Sequence, residues 1–584
     1  MLIRTALALL LLSVAPPARA ASPPAVEGAH FMVVTAQRLA SEAGAAMLRA
    51  GGNAVDAAVA AGYALAVVDP CCGNIGGGGF MVLRLADGRA VFLNFRETAP
   101  AAATAAMFLD AQGNMMPGAS LFGWRAVAVP GTVLGLDTAL RRYGTMPRAQ
   151  VMAPAIRLAR DGFVLGRGDT IPLARFAPLL RRDPAAAQIF LRPDGTALQQ
   201  GDRLVQPALA DTLAAIAADG PAAFYHGPIA ASLAAAARAG GGILGEADLA
   251  GFAVTESAPL QCDYRGYRLL SAPPPSSGGV ALCEMLNILA GYDLGALGYH
   301  SAASVHVMAE AMRRAFRDRN EDLGDPAFVQ NPLGRLLSRE YAAALRAGIG
   351  EGATPSRDLP PEAAPPSHEH AETTHYSVLD AAGNAVAVTY TLNGAFGAAV
   401  MAPGTGFLLN DEMDDFTTRP GTPNLFGLVQ GAANAIAPGK RPLSSMAPTI
   451  VLHDGHVALV LGSPGGPRII TTVLETVVNL IDYGLAPQAA VDAPRFHMQF
   501  LPDEVFVEPR ALSPDTEALL RGMGYRLHTQ APWGATELIA VGGALPQFAA
   551  PGPSQDAASD SGLCDACRYG AADPRRPAGT AVGE

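Results

Sequence analysis

The stretch HEHAETTHYSVLDAAGNAVAVTYTLN, residues 368–393, decides how the chain is read. Upstream of it, residues 351–372 are charged and rich in proline, with little that could enter a core, and read as a flexible surface linker. Downstream, HYSVLD and AVAVTYTLN read as two strands joined by the turn Ala382-Gly383-Asn384. A threonine pair, Thr373 and Thr374, stands on the border. A loop entering a strand gives such a border, and so does a chain meant to be cut there.

Working outward, APTIVLHDGHVALVLGSPGG reads as a second hairpin, followed by a helix from Ile469 to about Tyr483. On the N-terminal side, residues 37–50 have helical composition and stop at Gly51-Gly52, and Asn53 is placed to cap a second, Ala-rich helix through Val68. A glycine run, GNIGGGGF, then leads into two strands separated by Ala86-Asp87-Gly88. No Gly-Lys-Ser/Thr follows and a strand stands where a helix should be, so this is not a phosphate loop. From 130 to 350 the pattern is mostly helical, and Val305, Met308, Met312, Ala315 and Phe316 share one apolar face. Strands from both sides of the linker, with helices outside, suggest a layered α+β sandwich.

Half of the 584 residues are apolar and 16% are charged, the balance of a globular protein large enough for a sizeable core. The formal net charge of −11 and the lack of a basic run exclude the electrostatic footprint of a nucleic-acid binder. At the N-terminus, Arg4, the apolar residues 6–14 and Ala18-Arg19-Ala20 read as a signal peptide, residues 1–20, too short in its apolar run to span a bilayer. The expected location is therefore periplasmic or secreted, with no membrane span after signal removal. Of the six cysteines, adjacent Cys71 and Cys72 read as poorly placed to pair with each other. Cys564 and Cys567 form a lone C-x-x-C, too little for zinc, and read as a local disulfide or two free thiols.

A threonine inside a chain is a weak nucleophile. Breaking the Glu372–Thr373 bond would give Thr373 a free α-amine with a reference pKa of about 7.7–8.0, so that nucleophile and base share one residue. Position alone does not establish this, because strand starts favour threonine for its β-propensity.

The remaining motifs do more. GGNAVDAAVAAGYALAV, GNIGGGGFMV, FRETAP, PGTVLG, YGTMP, DYRGY, PPPSSGG, LGDPAF, TTHYSV, NDEMDDF, GKRPLSSMAPTIV, GSPGGPRIITTVL, NLIDYGL and DAPRFHMQ follow one another along nearly all of the mature chain. In that order they resemble the γ-glutamyltransferases, or glutathione hydrolases, self-cleaving enzymes of the N-terminal-nucleophile hydrolase superfamily. The resemblance implies a four-layer αββα sandwich built from two cleavage products, a large subunit 21–372 and a small subunit 373–584, associated as a heterodimer. It implies Thr373 as nucleophile, Thr391 as its assisting hydroxyl, and Gly465 and Gly466 as the oxyanion hole. It further implies Arg96, Ser444 and Ser445 as holders of the substrate α-carboxylate, and Asn393, Glu412 and Asp415 as holders of its ammonium. Glutathione and related γ-glutamyl compounds would be donors, water or an amino acid or peptide the acceptor, with no metal and no organic cofactor.

The chain departs from this pattern in three places. Glu412 stands where some bacterial members carry Gln, Phe426 stands where some carry a lid Tyr, and the ending carries a Gly/Ser/Pro-rich insertion with Cys564 and Cys567. Two rivals remain open at this point: a glutaryl-type cephalosporin acylase of the same superfamily, whose substrate lacks the ammonium that Asp415 would hold, and a non-catalytic exported binder of γ-glutamyl compounds.

Overall fold

Two side chains start the first pair of helices. Gln37 accepts from the Leu39 N–H ahead of Arg38–Arg49, and Asn53 accepts from Val55 and Asp56 while the Asp56 carboxylate takes the Asn53 N–H, ahead of Ala54–Val68. This reciprocal capping satisfies N–H groups that a helix leaves without partners. Gly51 closes the first helix in the left-handed region, φ 88°. Ala54–Val68 is buried along its whole length, because small side chains let neighbours approach on every side. At Gly62 the approach is closest: Tyr390 Oη donates to its carbonyl, and an added Cβ would lie 2.6 Å from the Tyr376 hydroxyl.

The computed structural model describes residues 22–356, 371–545, 564 and 566–584. The expected signal peptide, most of the Pro-rich linker and most of the C-terminal insertion lie outside the described residues. Within them, two antiparallel seven-stranded sheets face each other. One runs, edge to edge, through Val26–Gly28, Arg568–Ala572, Glu537–Val541, His456–Leu461, Thr449–His453, Tyr267–Ser271 and Leu260–Tyr264. The other runs through Thr580–Gly583, Met32–Thr35, Ala371–Leu379, Ala385–Gly394, Gly78–Arg84, Ala90–Asn94 and Thr255–Ser257. Helices including Ala54–Val68, Thr132–Tyr143 and Arg148–Asp161 cover the outer face of the second sheet, whose Val33, Met81, Tyr376 and Val388 share their core. Gly278–Leu289, Ala302–Asp322 and Arg468–Ile481 cover the first. The result is the expected four-layer αββα sandwich.

The sequence-derived elements sit close to where they were expected: the strands at Gly78–Arg84 and Ala90–Asn94, the second hairpin at Thr449–His453 and His456–Leu461, the helix at Arg468–Ile481. Two details differ. The strand bearing Thr373 begins at Ala371 and so takes in the last two residues of the expected linker, because Ala371 pairs with Gly394. Cys71 and Cys72 are bonded to each other. A tight turn, in which the N–H groups of both Cys72 and Gly73 donate to the Asp69 carbonyl, brings the adjacent sulfurs together. Cys262–Cys283 and Cys564–Cys567 are also disulfides, the latter one of the two states expected for that pair.

The glycine run has a packing reason. An added Cβ would lie 2.1 Å from the Leu408 carbonyl oxygen at Gly76, 1.9 Å from that of Thr391 at Gly77 and 2.4 Å from that of Thr389 at Gly79. Because the obstacles are backbone atoms of buried segments, they cannot swing aside. Gly77→Ala is therefore expected to destabilise the fold by at least the ~1–3 kcal/mol typical of overpacking. Thermal unfolding measures this, and an unchanged melting curve would refute the packing.

Candidate active site

Thr373 is held in an interrupted stretch of the ladder. Ala371 pairs with Gly394 and Thr373 with Thr391, so the register shifts across Glu372, a bulge that re-aims side chains locally. From Thr373 onward strand alternation takes over. His375 and Ser377 on the Thr373 side face the other sheet, where Ser377 Oγ donates to the Glu537 carbonyl. Thr374 is fully buried on the opposite face, the side of Tyr376 and the helix layer.

The two threonine hydroxyls lie 3.1 Å apart, and Thr391 Oγ1 donates to the carbonyl of Glu372 at 3.2 Å while accepting from the Asn393 N–H at 2.9 Å. With Thr391's proton on that carbonyl, the Thr373 hydroxyl is the donor of the pair. The nucleophile candidate and the carbonyl beside it are thus linked through one hydroxyl. Asn393 sits at φ 77°, a left-handed geometry that asparagine tolerates, and its Nδ2 donates to the Asp411 carbonyl.

Arg96 reaches the same spot from the strand end at Asn94. Arg96 is 1% exposed and bonds Glu412 through Nη1 and Asp415 through Nη2, with Glu97 at 3.7 Å. Burial works against the guanidinium's charge, but Glu412, Asp415 and Glu97 together hold its pKa above the usual value. Burial likewise pushes the carboxyls up, Glu97 to about 7 and Glu412 well above the usual range, with Arg96 opposing. Glu412 and Asp415 are set on a single 3₁₀ turn, Glu412–Asp415, whose entry is tied down by Asn410 Nδ2 donating to Gly76 and Ala128.

Arg96, Glu412 and Asp415 line a cavity of about 20 Å3 together with Thr373, Thr391, Asn393, Ser444, Ser445, Phe426 and Gly466. It has room for about one water. Gly466, φ 54°, faces it, whereas Gly465, φ 133°, lines a second and larger cavity alongside. Both glycines precede the helix Arg468–Ile481, whose N-terminus carries partial positive charge toward this region. Phe426 lines the small cavity, and its N–H and carbonyl are taken by Asn424 and Gln499.

One lining residue had not been singled out. Arg319, 2% exposed, donates to Ser277 Oγ, Gln430 Oε1 and Ser445 Oγ at 2.9–3.1 Å, and burial lowers its pKa to about 10. It belongs to the helix Ala302–Asp322, where the apolar stripe signalled core and gave no sign that Arg319, like Arg313 and Arg314, is buried. Among the described residues, two groups of acids and sulfurs are close enough to share an ion, Asp69/Cys71/Cys72 and Glu27/Cys564/Cys567. In both, the sulfurs are bonded to each other and offer no thiolate.

A sequence model of the family described as Gamma-glutamyltranspeptidase matches residues 40–580. A glutathione hydrolase proenzyme of Pseudomonas sp. (strain A14) is 52% identical over 583 residues, covering 100% of this chain and 98% of the relative. One of Escherichia coli (strain K12) is 48% identical, covering 88% and 89%. Among solved structures, a cephalosporin acylase from Bacillus halodurans superposes with a TM-score of 0.81 at 28% identity, over 99% of each chain. With a family model spanning nearly its whole length and relatives of this identity, the chain belongs to the γ-glutamyltranspeptidase family.

Proposed function

We propose that the protein is an autoprocessed γ-glutamyltransferase and glutathione hydrolase, made as an exported precursor and cut between Glu372 and Thr373 into subunits 21–372 and 373–584. The observation that carries this reading is the Thr373–Thr391–Glu372 chain of contacts. In self-cleavage the Thr373 hydroxyl attacks the Glu372 carbonyl as Thr391 draws off its proton and polarises the carbonyl oxygen. The C–N bond breaks to leave an ester, and water releases it.

In the cut enzyme Thr373 Oγ attacks the γ-carbonyl of glutathione or a related compound, passing its proton to the Thr373 α-amine. The Gly465 and Gly466 N–H groups stabilise the tetrahedral oxyanion. As the C–N bond breaks, the α-ammonium returns the proton to the departing amine. Water or an amine acceptor then takes the γ-glutamyl group from the ester. Arg96 with Ser444 and Ser445 binds the donor's α-carboxylate, and Asn393, Glu412 and Asp415 bind its ammonium. A cavity with room for about one water admits this headgroup only as Arg96 exchanges Glu412 and Asp415 for the incoming carboxylate. Those two acids are then released toward the ammonium, so one rearrangement serves both ends of the ligand. Export to the periplasm or medium rests on the N-terminal sequence; among the described residues no helix is long and apolar enough to cross a membrane.

The similarity to a cephalosporin acylase keeps a second reading in view, that of a glutaryl-type amidase. Asp415 beside Arg96 favours the first, since a glutaryl group has no ammonium to place there. Purified protein is expected to run as two chains on denaturing electrophoresis and to release a chromogenic anilide at least tenfold faster from its γ-glutamyl than from its glutaryl derivative. Faster glutaryl release would establish the acylase reading, and one unbroken, inactive chain would establish a binder.

A further inference from the structure

The disulfide between Cys71 and Cys72 has surroundings that suit two thiols as well as they suit the bond. Cys71 is on the wall of the larger cavity, about 400 Å3 in volume, while Cys72 is fully buried. Asp69 Oδ1 lies 3.3 Å from Cys71 Sγ, and Glu372 Oε2 lies 3.7 Å from Cys72 Sγ. A bonded sulfur has no proton to give these oxygens, whereas two thiols would give one to each. Arg576 Nη1 donates toward both sulfurs, at 3.7 Å to Cys71 and 3.5 Å to Cys72, while its Nη2 pairs with Glu372. A thiolate at Cys72 therefore meets a cation already in place. Burial pushes the Asp69 carboxyl up to about 6, with Arg576 opposing, and pushes that of Glu537, which also faces Arg576, well above the usual range. Both acids compete less for the guanidinium as a result.

The turn that carries the pair is tied to the strand of Thr391. The Cys71 carbonyl accepts from the Phe396 N–H at 3.0 Å, and the Cys72 carbonyl accepts from Asn74 Nδ2 at 3.1 Å. Asn74 Oδ1 in turn accepts from the Gly77 N–H and from Thr132 Oγ1. The next residue, Gly78, pairs with Thr391 across the sheet. The cysteine turn thus braces both ends of the segment that runs from Thr391 to Phe396.

We propose that Cys71–Cys72 is a reversible thiol–disulfide exchange site for a small thiol, and that its oxidation state sets how firmly the Thr391 strand is braced. The site stands apart from the function proposed above, although glutathione, the donor in that reading, is one such thiol. The thiolate of the incoming molecule attacks Cys71 Sγ, the sulfur on the cavity wall. The S–S bond breaks, a mixed disulfide forms at Cys71, and Cys72 leaves as a thiolate beside Arg576. A second small thiol attacks the small molecule's sulfur in the mixed disulfide and releases Cys71. The two cysteine sulfurs take up the two protons that the small thiols lost. Two small thiols are thereby oxidised to one disulfide, and one protein disulfide is reduced to two thiols, which donate to Asp69 and Glu372.

Purified wild-type protein is to be treated in its folded state with dithiothreitol, a thiol with no amine, then blocked with iodoacetamide and read by peptide mass spectrometry. Cys71 and Cys72 are expected to be labelled together while the protein stays folded, and labelling that appears only on unfolding overturns the site. In Arg576→Gln the rate of this labelling is expected to fall about tenfold while that of Cys564 and Cys567 is unmoved, and equal rates at Cys71 and Cys72 in the two proteins remove Arg576 from the site. After removal of the reductant, release of a γ-glutamyl anilide by the dithiol form is expected to be about fivefold slower and to recover on reoxidation. Unchanged release overturns the coupling to the Thr391 strand. Cys71→Ser/Cys72→Ser is expected to show the slower rate and no response to dithiothreitol, and a response that persists in it assigns the effect to another disulfide. Should that variant fail to fold, wild-type labelling and release decide alone. A protein that exchanges at Cys71 and Cys72 yet never releases anilide refutes the functional reading and upholds the exchange site.

Discussion

Thr373→Ala is expected to remain a single chain and to lose γ-glutamyl release by on the order of 10⁴-fold or more, the scale of removing a covalent nucleophile. The substitution deletes the atom that attacks both the Glu372 carbonyl and the substrate, while the methyl left behind occupies no new space in a buried strand. Its thermal midpoint should therefore stay within a few degrees of wild type. Thr373→Ser retains the hydroxyl and is expected to mature, more slowly, because serine lacks the methyl that fixes χ1 toward Thr391. Electrophoresis over time and anilide release by each variant measure these outcomes. A Thr373→Ala protein that matures into two chains would place the cut, and with it the nucleophile, elsewhere.

Arg96→Ala is expected to act on stability and substrate binding together. It removes the cation shared by Glu412, Asp415 and Glu97, all buried. Breaking such a pairing from one side costs about 3–5 kcal/mol, because the remaining charges stay out of water. Loss of the carboxylate clamp should lower kcat/KM for γ-glutamyl donors by about 10³-fold, in line with the 2–5 kcal/mol that a buried charged hydrogen bond contributes to binding. Arg96→Lys keeps the charge and loses the fork, so its stability should recover more than its activity. Thermal melts and steady-state kinetics on the matured variants separate the two effects. Donor kinetics left unchanged in Arg96→Ala would remove Arg96 from the binding site.

Much of the fold was legible because local signals agreed. Asn53 with Asp56, Gly51-Gly52 and Ala86-Asp87-Gly88 each carry a short-range physical reason that needs no knowledge of the rest of the chain. The site was legible in a different way. Thr373, Thr391, Arg96 and Asp415 come from separate segments, and their meeting depends on strand register and on a turn more than three hundred residues from Arg96. Family resemblance, not spacing, brought them together. Arg319 stayed hidden because its helix satisfies an apolar pattern whichever way its arginines point. The pairing of Cys71 and Cys72 was misread because adjacent cysteines are disfavoured in extended or helical backbone, whereas the turn that holds them is built by Asp69.

The order of strands bears on how such a protein can be made at all. Ala371–Leu379 and Ala385–Gly394 lie between Met32–Thr35 and Gly78–Arg84 in one sheet, and Arg568–Ala572 lies beside Val26–Gly28 in the other. Before the proposed cut, every one of these pairings closes a loop within a single molecule, at an entropic cost that grows only slowly with loop length. After it, the same pairings would have to form between two molecules, and their recovery would fall with dilution. Assembly is then a property of the precursor alone. The cut protein is then expected to persist by the slowness with which interleaved strands come apart, a kinetic rather than an equilibrium form of stability.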